Sequence, residues 1–295
     1  MNTKSLSLWL RLAHCGVLLS LVLPSKILAS DILTSTPVTY LLASQLMKNT
    51  PITTTYLAPK RYGIERLENW FATKGMKVAE KAAKKATVTV TLKSLWPQDP
   101  LFNATRQGNI RLIEIDASQA FTMHTKGVAT VQLPAGGHSL YAWLNPNNLG
   151  TMMSIVSDDL QRVWPEHATM IEENQQALLL NIRKLINAQQ QHLLGNQIDS
   201  VILLSNQLED FASANQLFVE QRLFKAELEW TEQDKEALKS WIKESPNTWI
   251  LSTRKTSLQL QQLLPDFTQM LVIDSLDRWG RKGINPEAPL QRWQF

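Results

Sequence analysis

Cysteine is all but missing from this 295-residue chain; its one copy, Cys15, lies in an N-terminal apolar stretch. Residues 31–295 therefore offer no thiol, no disulfide and no cysteine ligand for a metal, a composition suited to an oxidising compartment. Glycine is sparse as well. The 11 glycines form no cluster at a strand-to-helix turn, and no phosphate-cradling Gly-x-x-x-x-Gly-Lys occurs. A Gly-x-Ser-x-Gly nucleophile elbow and a His-Glu-x-x-His zinc motif are also lacking. Acidic pairs exist, at Asp158-Asp159 and Glu172-Glu173, but they fall on expected helices, where a solvated face accounts for them. The expectation is a protein that is not an enzyme. A strong charge of either sign is absent too. The formal charge of +4 includes Lys4, Arg11 and Lys26, with no acid among the first thirty residues, which leaves +1 for residues 31–295. That balance gives no electrostatic footprint for nucleic acid.

What the chain does have begins at its N-terminus. Lys4 and Arg11 lead into an apolar run from Cys15 to Pro24, and the small residues Ala29 and Ser30 precede Asp31. Basic, apolar and small segments in that order mark a secretory signal, expected over residues 1–30. The run is shorter than the about 20 residues a spanning helix needs. Cys15 follows Leu12, Ala13 and His14, and the apolar run lies after it rather than before it, an order that does not suit a lipid-modified cysteine. The expected location is periplasmic.

Residues 31–295 alternate between strand and helix patterns. Strands are expected at 31–33, 52–57, 86–92, 111–115, 200–204, 218–224, 249–251 and 270–273, where β-branched and apolar residues run between turn signals. Helices are expected at 38–47, 64–72, 77–85, 148–164, 208–217, 231–243 and 257–264. Asn145 and Pro146 form a cap and first-turn pair, and Thr231 with Glu232 and Asp234 opens another helix. Pro165-Glu166 restarts the chain as a helix of about 45 Å that Gly195 ends. This alternation predicts an α/β fold of two parallel-sheet lobes joined by one long rigid helix. The expected division is an N-terminal lobe at 31–164, a linking helix at 165–195 and a C-terminal lobe at 196–295.

The stretch Tyr141-Ala-Trp-Leu-Asn-Pro-Asn147, followed by Pro165-Glu166 and Asn174, resembles the zinc- and manganese-binding solute receptors of ABC importers. In that family a Trp-Leu-Asp-Pro core precedes a helix, a Pro-Glu turn and a long helix carrying an Asn. The resemblance implies a solute-binding protein that captures a transition metal ion, zinc or manganese, or another small solute in an interlobe cleft and passes it to an ABC permease in the inner membrane.

The same resemblance implies a ligand set of three His and one acid, and there this chain departs. Tyr141 stands where the central His is expected. The segment after the second strand reads Ala58-Pro59-Lys60-Arg61-Tyr62-Gly63, without a His. Ser205-Asn206 occupies the third position, and Asp274 matches the acidic fourth. Zinc needs about four N, O or S ligands, and a fixed cation beside them repels it. Three arrangements are open. Arg61 pairs with Asp274 in place of a metal, which would make the protein a degenerate receptor acting as an accessory or regulatory partner; or Lys60, Arg61, Tyr62 and Tyr141 hold an anionic or chelated solute; or Lys60 and Arg61 face solvent. His124 and His138 flank the segment before Tyr141 and are candidate loop ligands for a transition metal. The candidate ligand-binding residues are thus Arg61, Tyr141, Ser205 and Asp274, with Asp274, His124 and His138 as candidate metal ligands.

Overall fold

The computed structural model describes residues 31–119 and 127–295. The expected signal segment and His124 lie outside them. Two four-stranded sheets organise the chain, each parallel throughout. The first holds β1 (Ile32–Thr34), β2 (Thr54–Tyr56), β3 (Val88–Thr91) and β4 (Ile113–Asp116) in the order β2-β1-β3-β4. The second holds β5 (Ser200–Leu203), β6 (Phe218–Arg222), β7 (Trp249–Ser252) and β8 (Met270–Val272) in the order β6-β5-β7-β8. The two orders match position for position. Every residue of the inner strands β1 and β3 is buried, whereas the edge strands β4 and β6 expose Ile113 and Phe218. Inner strands of a parallel sheet are covered on both faces, so they read as continuous apolar or Thr runs rather than alternating ones.

Helices start where capping chemistry allows. The α1 helix (Pro37–Leu46) opens on a Thr36 hydroxyl cap with Pro37 in its first turn. Asn145 caps α5 (Pro146–Val163) through Asn147 N, as the sequence predicts. Thr231 and Asp234 close a reciprocal capping box on α8 (Glu232–Glu244). Between β2 and β3 the sequence predicts two helices, and the structure joins them. A 3-10 turn at Ile64–Arg66 runs into α2 (Leu67–Trp70), a π turn at Phe71–Gly75 and α3 (Met76–Ala83). The Trp70 ring packs so closely on Gly75 that a Cβ there would lie 2.5 Å from it. The short α4 (Leu101–Arg106) escapes periodicity at six residues. Asp99 supports it, accepting from Leu101 N at 3.0 Å and Leu92 N at 2.9 Å.

A 3-10 turn at Pro165–His167 leads into α6 (Ala168–Gly195), 28 residues or about 42 Å long. Ile171, Leu178, Ile182, Leu185 and Leu193 form its buried stripe. Asn174 turns toward α1, where its amide donates to Leu46 O at 2.9 Å and Lys48 O at 2.7 Å. Those carbonyls lie at a helix end and have no intrahelical donor. The second sheet adds α7 (Glu209–Ala214), α8 and α9 (Leu258–Leu263). One core runs from Ile32 and Leu41 through Trp143 and Ile182 to Leu203, Phe211 and Trp293, so both lobes share it. Among the described residues no helix is long and apolar enough to cross a membrane.

Asn174→Ala strands two part-buried carbonyls. It should cost about 1–3 kcal/mol, read as a lower urea midpoint with an unchanged slope.

Candidate functional site

The two sheets point the carboxyl ends of their strands at a common junction. In open α/β sheets this is the end at which ligands bind. Three segments meet there: the loop after β2, the turn before α5 and the chain after β8. The residue that joins them is Asp277, 8% exposed. Its Oδ1 accepts from Ile64 N at 3.1 Å and from the Tyr141 hydroxyl at 3.1 Å. Gln207, from the turn after β5, donates its Nε2 to the Tyr141 oxygen at 2.9 Å. Arg278 Nε lies 3.6 Å from Asp277 Oδ2. A Cβ on Gly63 would sit 2.0 Å from Asp277 Oδ2, so only glycine lets the loop after β2 approach this carboxylate.

Two neighbouring contacts fix Asp277 in place. Leu276, just before it, has φ +55, a left-handed conformation that bulky side chains rarely adopt. Its N–H donates to Asp274 Oδ1 at 2.9 Å, and Arg292 grips that same carboxylate with two nitrogens at 2.8 and 2.7 Å. The planar guanidinium suits a carboxylate held on both oxygens. Trp143 Nε1 donates to Ser275 O at 2.9 Å and Trp293 Nε1 to Asp274 O at 2.8 Å. Trp279 then enters the first lobe, with ring centroids 4.7 Å from both Tyr40 and Tyr56. Burial, reinforced by the Asp277 charge, holds the hydroxyls of Tyr141 and Tyr56 well above the usual phenol range. Tyr141 thus sits in the cluster as a buried hydroxyl that donates to Asp277 and accepts from Gln207.

The residues singled out from sequence are thus only partly brought together. Tyr141 is at the centre. Asp274 lies three residues from Asp277 with its carboxylate held by Arg292. Arg61 is exposed and stacks on Tyr62 with its guanidinium 5.5 Å from the ring, so it does not take up Asp274. Ser205 caps the turn at Asn206–Leu208 through Gln207 N. His138 is an exposed loop residue whose Nδ1 lies 3.5 Å from Thr130 Oγ1. Sequence reasoning missed Asp277 and Gln207. Each lies within three residues of the one chosen, in a loop where pattern sets no register. Among the described residues, no three His, Cys, Asp or Glu side chains gather as a metal-holding group.

Beside this cluster α7 buries Asp210 at 1% exposure. Neither of its oxygens makes a hydrogen bond of full geometry. Burial pushes the carboxyl up to about 6; the nearby Ser139 hydroxyl acts against that rise and Glu209 adds to it. Ser139 Oγ in turn accepts from Tyr141 N at 3.1 Å. Glu209 itself is engaged by Arg222 at 2.7 Å.

With this geometry in hand, solved structures provide a comparison. ZnuA matches at 17% identity and a TM-score of 0.60, over 84% of this chain and 92% of that one. The chain has the ZnuA-type fold. The Zn(II)-bound ZnuA-like domain of Streptococcus pneumoniae AdcA matches at 15% identity and a TM-score of 0.63, over 84% and 88%. The metal-dependent lipoprotein YcdH of Bacillus subtilis matches at 14% and 0.65, over 88% and 90%. No family model and no curated protein matches the sequence. The ZnuA-type fold accounts for the paired sheets and the long α6. At these identities it transfers no ligand set, and the chemistry rests on the side chains present.

Two substitutions probe the junction. Tyr141→Phe removes the partner of both Asp277 and Gln207 and should cost about 2 kcal/mol in chemical denaturation. Asp210→Asn should act in the opposite direction at neutral pH. A carboxyl raised from 3.8 to about 6 in the native state lets stability stand highest below pH about 4 and fall as pH rises through about 6. The variant should therefore melt about 5 °C higher at pH 7.5 and equally with wild type near pH 4. Asp99, also pushed up to about 6 by burial, keeps its own share of the slope in both proteins.

Proposed function

We propose that this protein is an extracytoplasmic solute-binding component of an ABC importer whose lobe junction is closed by hydrogen bonds rather than by a transition metal ion. It delivers its solute to an inner-membrane permease and catalyses no reaction. The division into lobes at 31–164 and 196–295, linked by residues 165–195, belongs to the same reading. So do export through residues 1–30 and a periplasmic location. The ZnuA-type fold supports the receptor part of the proposal.

The observation that carries the rest is the Tyr141–Asp277–Gln207 cluster. A site for zinc or manganese needs several anionic or imidazole donors free to coordinate. The junction instead spends its carboxylate on a phenol and a backbone N–H, and its second acid, Asp274, on Arg292. Tyr141 both donates and accepts within the cluster, which leaves no strong donor pointing at a common centre. The long α6, packed along α1 and α5 of the first lobe and joined to the second through Gln189 Nε2 to Trp293 O at 3.3 Å, keeps the lobes near one spacing, so solute exchange takes small lobe movements.

Metal capture is the rival outcome, since the AdcA domain that shares the fold is Zn(II)-bound. Thermal melting of metal-stripped protein with Zn²⁺, Mn²⁺, Fe²⁺ or Cu²⁺ decides between them. The expected result is no shift with any metal and no metal co-purified. A site at a hundredfold excess over Kd would stabilise the protein by about 2.7 kcal/mol. Such a shift, lost in Asp277→Ala or Asp274→Ala, would overturn the hydrogen-bonded junction and restore metal capture.

A further inference from the structure

Lysines gather along α3 and its ends on a single helix face, but a larger concentration of cations forms in a seam between two segments far apart in sequence. Gly280 N donates to Lys60 O at 2.8 Å, which lays the segment 278–282 alongside the segment 60–66. The first brings Arg278, Arg281 and Lys282, and the second Lys60, Arg61 and Arg66, all six exposed. Glu65 is the one acid within these two segments, so together they carry a net +5 while residues 31–295 as a whole carry +1. Among the described residues, Arg278 is the only member of the six in an ion pair, with buried Asp277 at 3.6 Å.

The cations are also held in position rather than left to wander. Arg61 and Arg66 stack on Tyr62 at 5.5 and 5.8 Å, and Lys60 lies 5.9 Å from the Trp279 ring. A guanidinium lying over a ring keeps N–H groups free to donate. Pre-ordering lowers the entropy cost of engaging an anion. Like charges gathered along two adjoining segments repel one another, and a multivalent anion relieves that repulsion. The seam lies over the carboxyl ends of β2 and β8, where the lobes meet and where α/β sheets take their ligands.

We infer that this seam binds a small multivalent anion, a compound with two or more carboxylate or phosphate groups. This rests on the receptor reading and deepens it by naming a class of solute. Arg61, Arg66 and Arg281 supply the forked donors, with Lys60 and Lys282 as point charges beside them. The Tyr141 cluster beneath serves as the floor that sets the two segments at their spacing, and it makes no contact with the anion.

Isothermal titration of the protein, residues 31–295, with citrate and with tripolyphosphate tests this, at about 20 mM and about 150 mM salt. The expected result is one-to-one binding of at least one of them, weaker at the higher salt, and which one binds separates a carboxylate from a phosphate source. Arg61→Gln/Arg281→Gln should weaken it at least about tenfold, a loss of about 1.4 kcal/mol. A charge-matched control at the end of α3, Lys81→Gln/Lys84→Gln, should leave it unchanged, with circular dichroism showing that both variants fold. Absence of binding to either anion, or equal loss in the control, overturns the inference. Binding only to phosphatidylglycerol vesicles overturns it as well, in favour of a membrane surface. Neither failure touches the metal test above, which reads the Tyr141 cluster and not these cations.

Discussion

A buried carboxylate has to be compensated, and much of this molecule's arrangement follows from how Asp277 is. An unpaired charge at that depth would cost several kcal/mol. Compensation comes from three directions: Ile64 N from the first lobe, the Tyr141 hydroxyl from the turn before α5, and Arg278 from its own segment. Each donor belongs to a different stretch of chain, so satisfying one acid fixes three loops relative to one another. The glycine at 63 and the left-handed Leu276 are the conformational conditions for that approach. Arg292, by holding Asp274, stabilises the turn that presents Asp277.

The same cluster explains how a ZnuA-type fold can exist with this side-chain set. A fold sets where loops meet, but not which chemistry they meet with. A cation held by several ligands and a carboxylate held by several donors are alternative solutions to the same problem of joining two lobes at a polar centre. On the proposed reading the second solution is built; Trp143 and Trp293 border it with satisfied indole N–H groups and Trp279 adds aromatic packing. On that reading the exposed cations at its rim are the groups left to meet a solute.

The alternation of strands and helices was legible because buried parallel strands and capped helices leave local marks. Val88–Thr91, the Asn145-Pro146 cap and the Thr231–Asp234 box each lie where pattern and capping rules put them. Tyr141 was legible as the central position because Trp143-Leu144-Asn145-Pro146 anchors it in sequence. Asp277 and Gln207 were not, since loop residues have no periodicity, and a shift of two or three positions exchanges Asp274 for Asp277 or Ser205 for Gln207. The chain beyond Ile273 offered no repeat or strand pattern, yet it carries much of the junction.

By itself the sequence determined the class of fold, the sparing use of cysteine and the absence of a histidine in the loop after β2, because these depend on composition and on neighbours a few residues apart. Tertiary structure alone decided that Arg292 and not Arg61 meets Asp274, that Tyr141 is buried against Asp277, and that two basic segments more than 200 residues apart form one seam. Those outcomes turn on which loops the parallel sheets bring to their carboxyl ends and on how a buried charge finds its donors, and neither is encoded in local sequence.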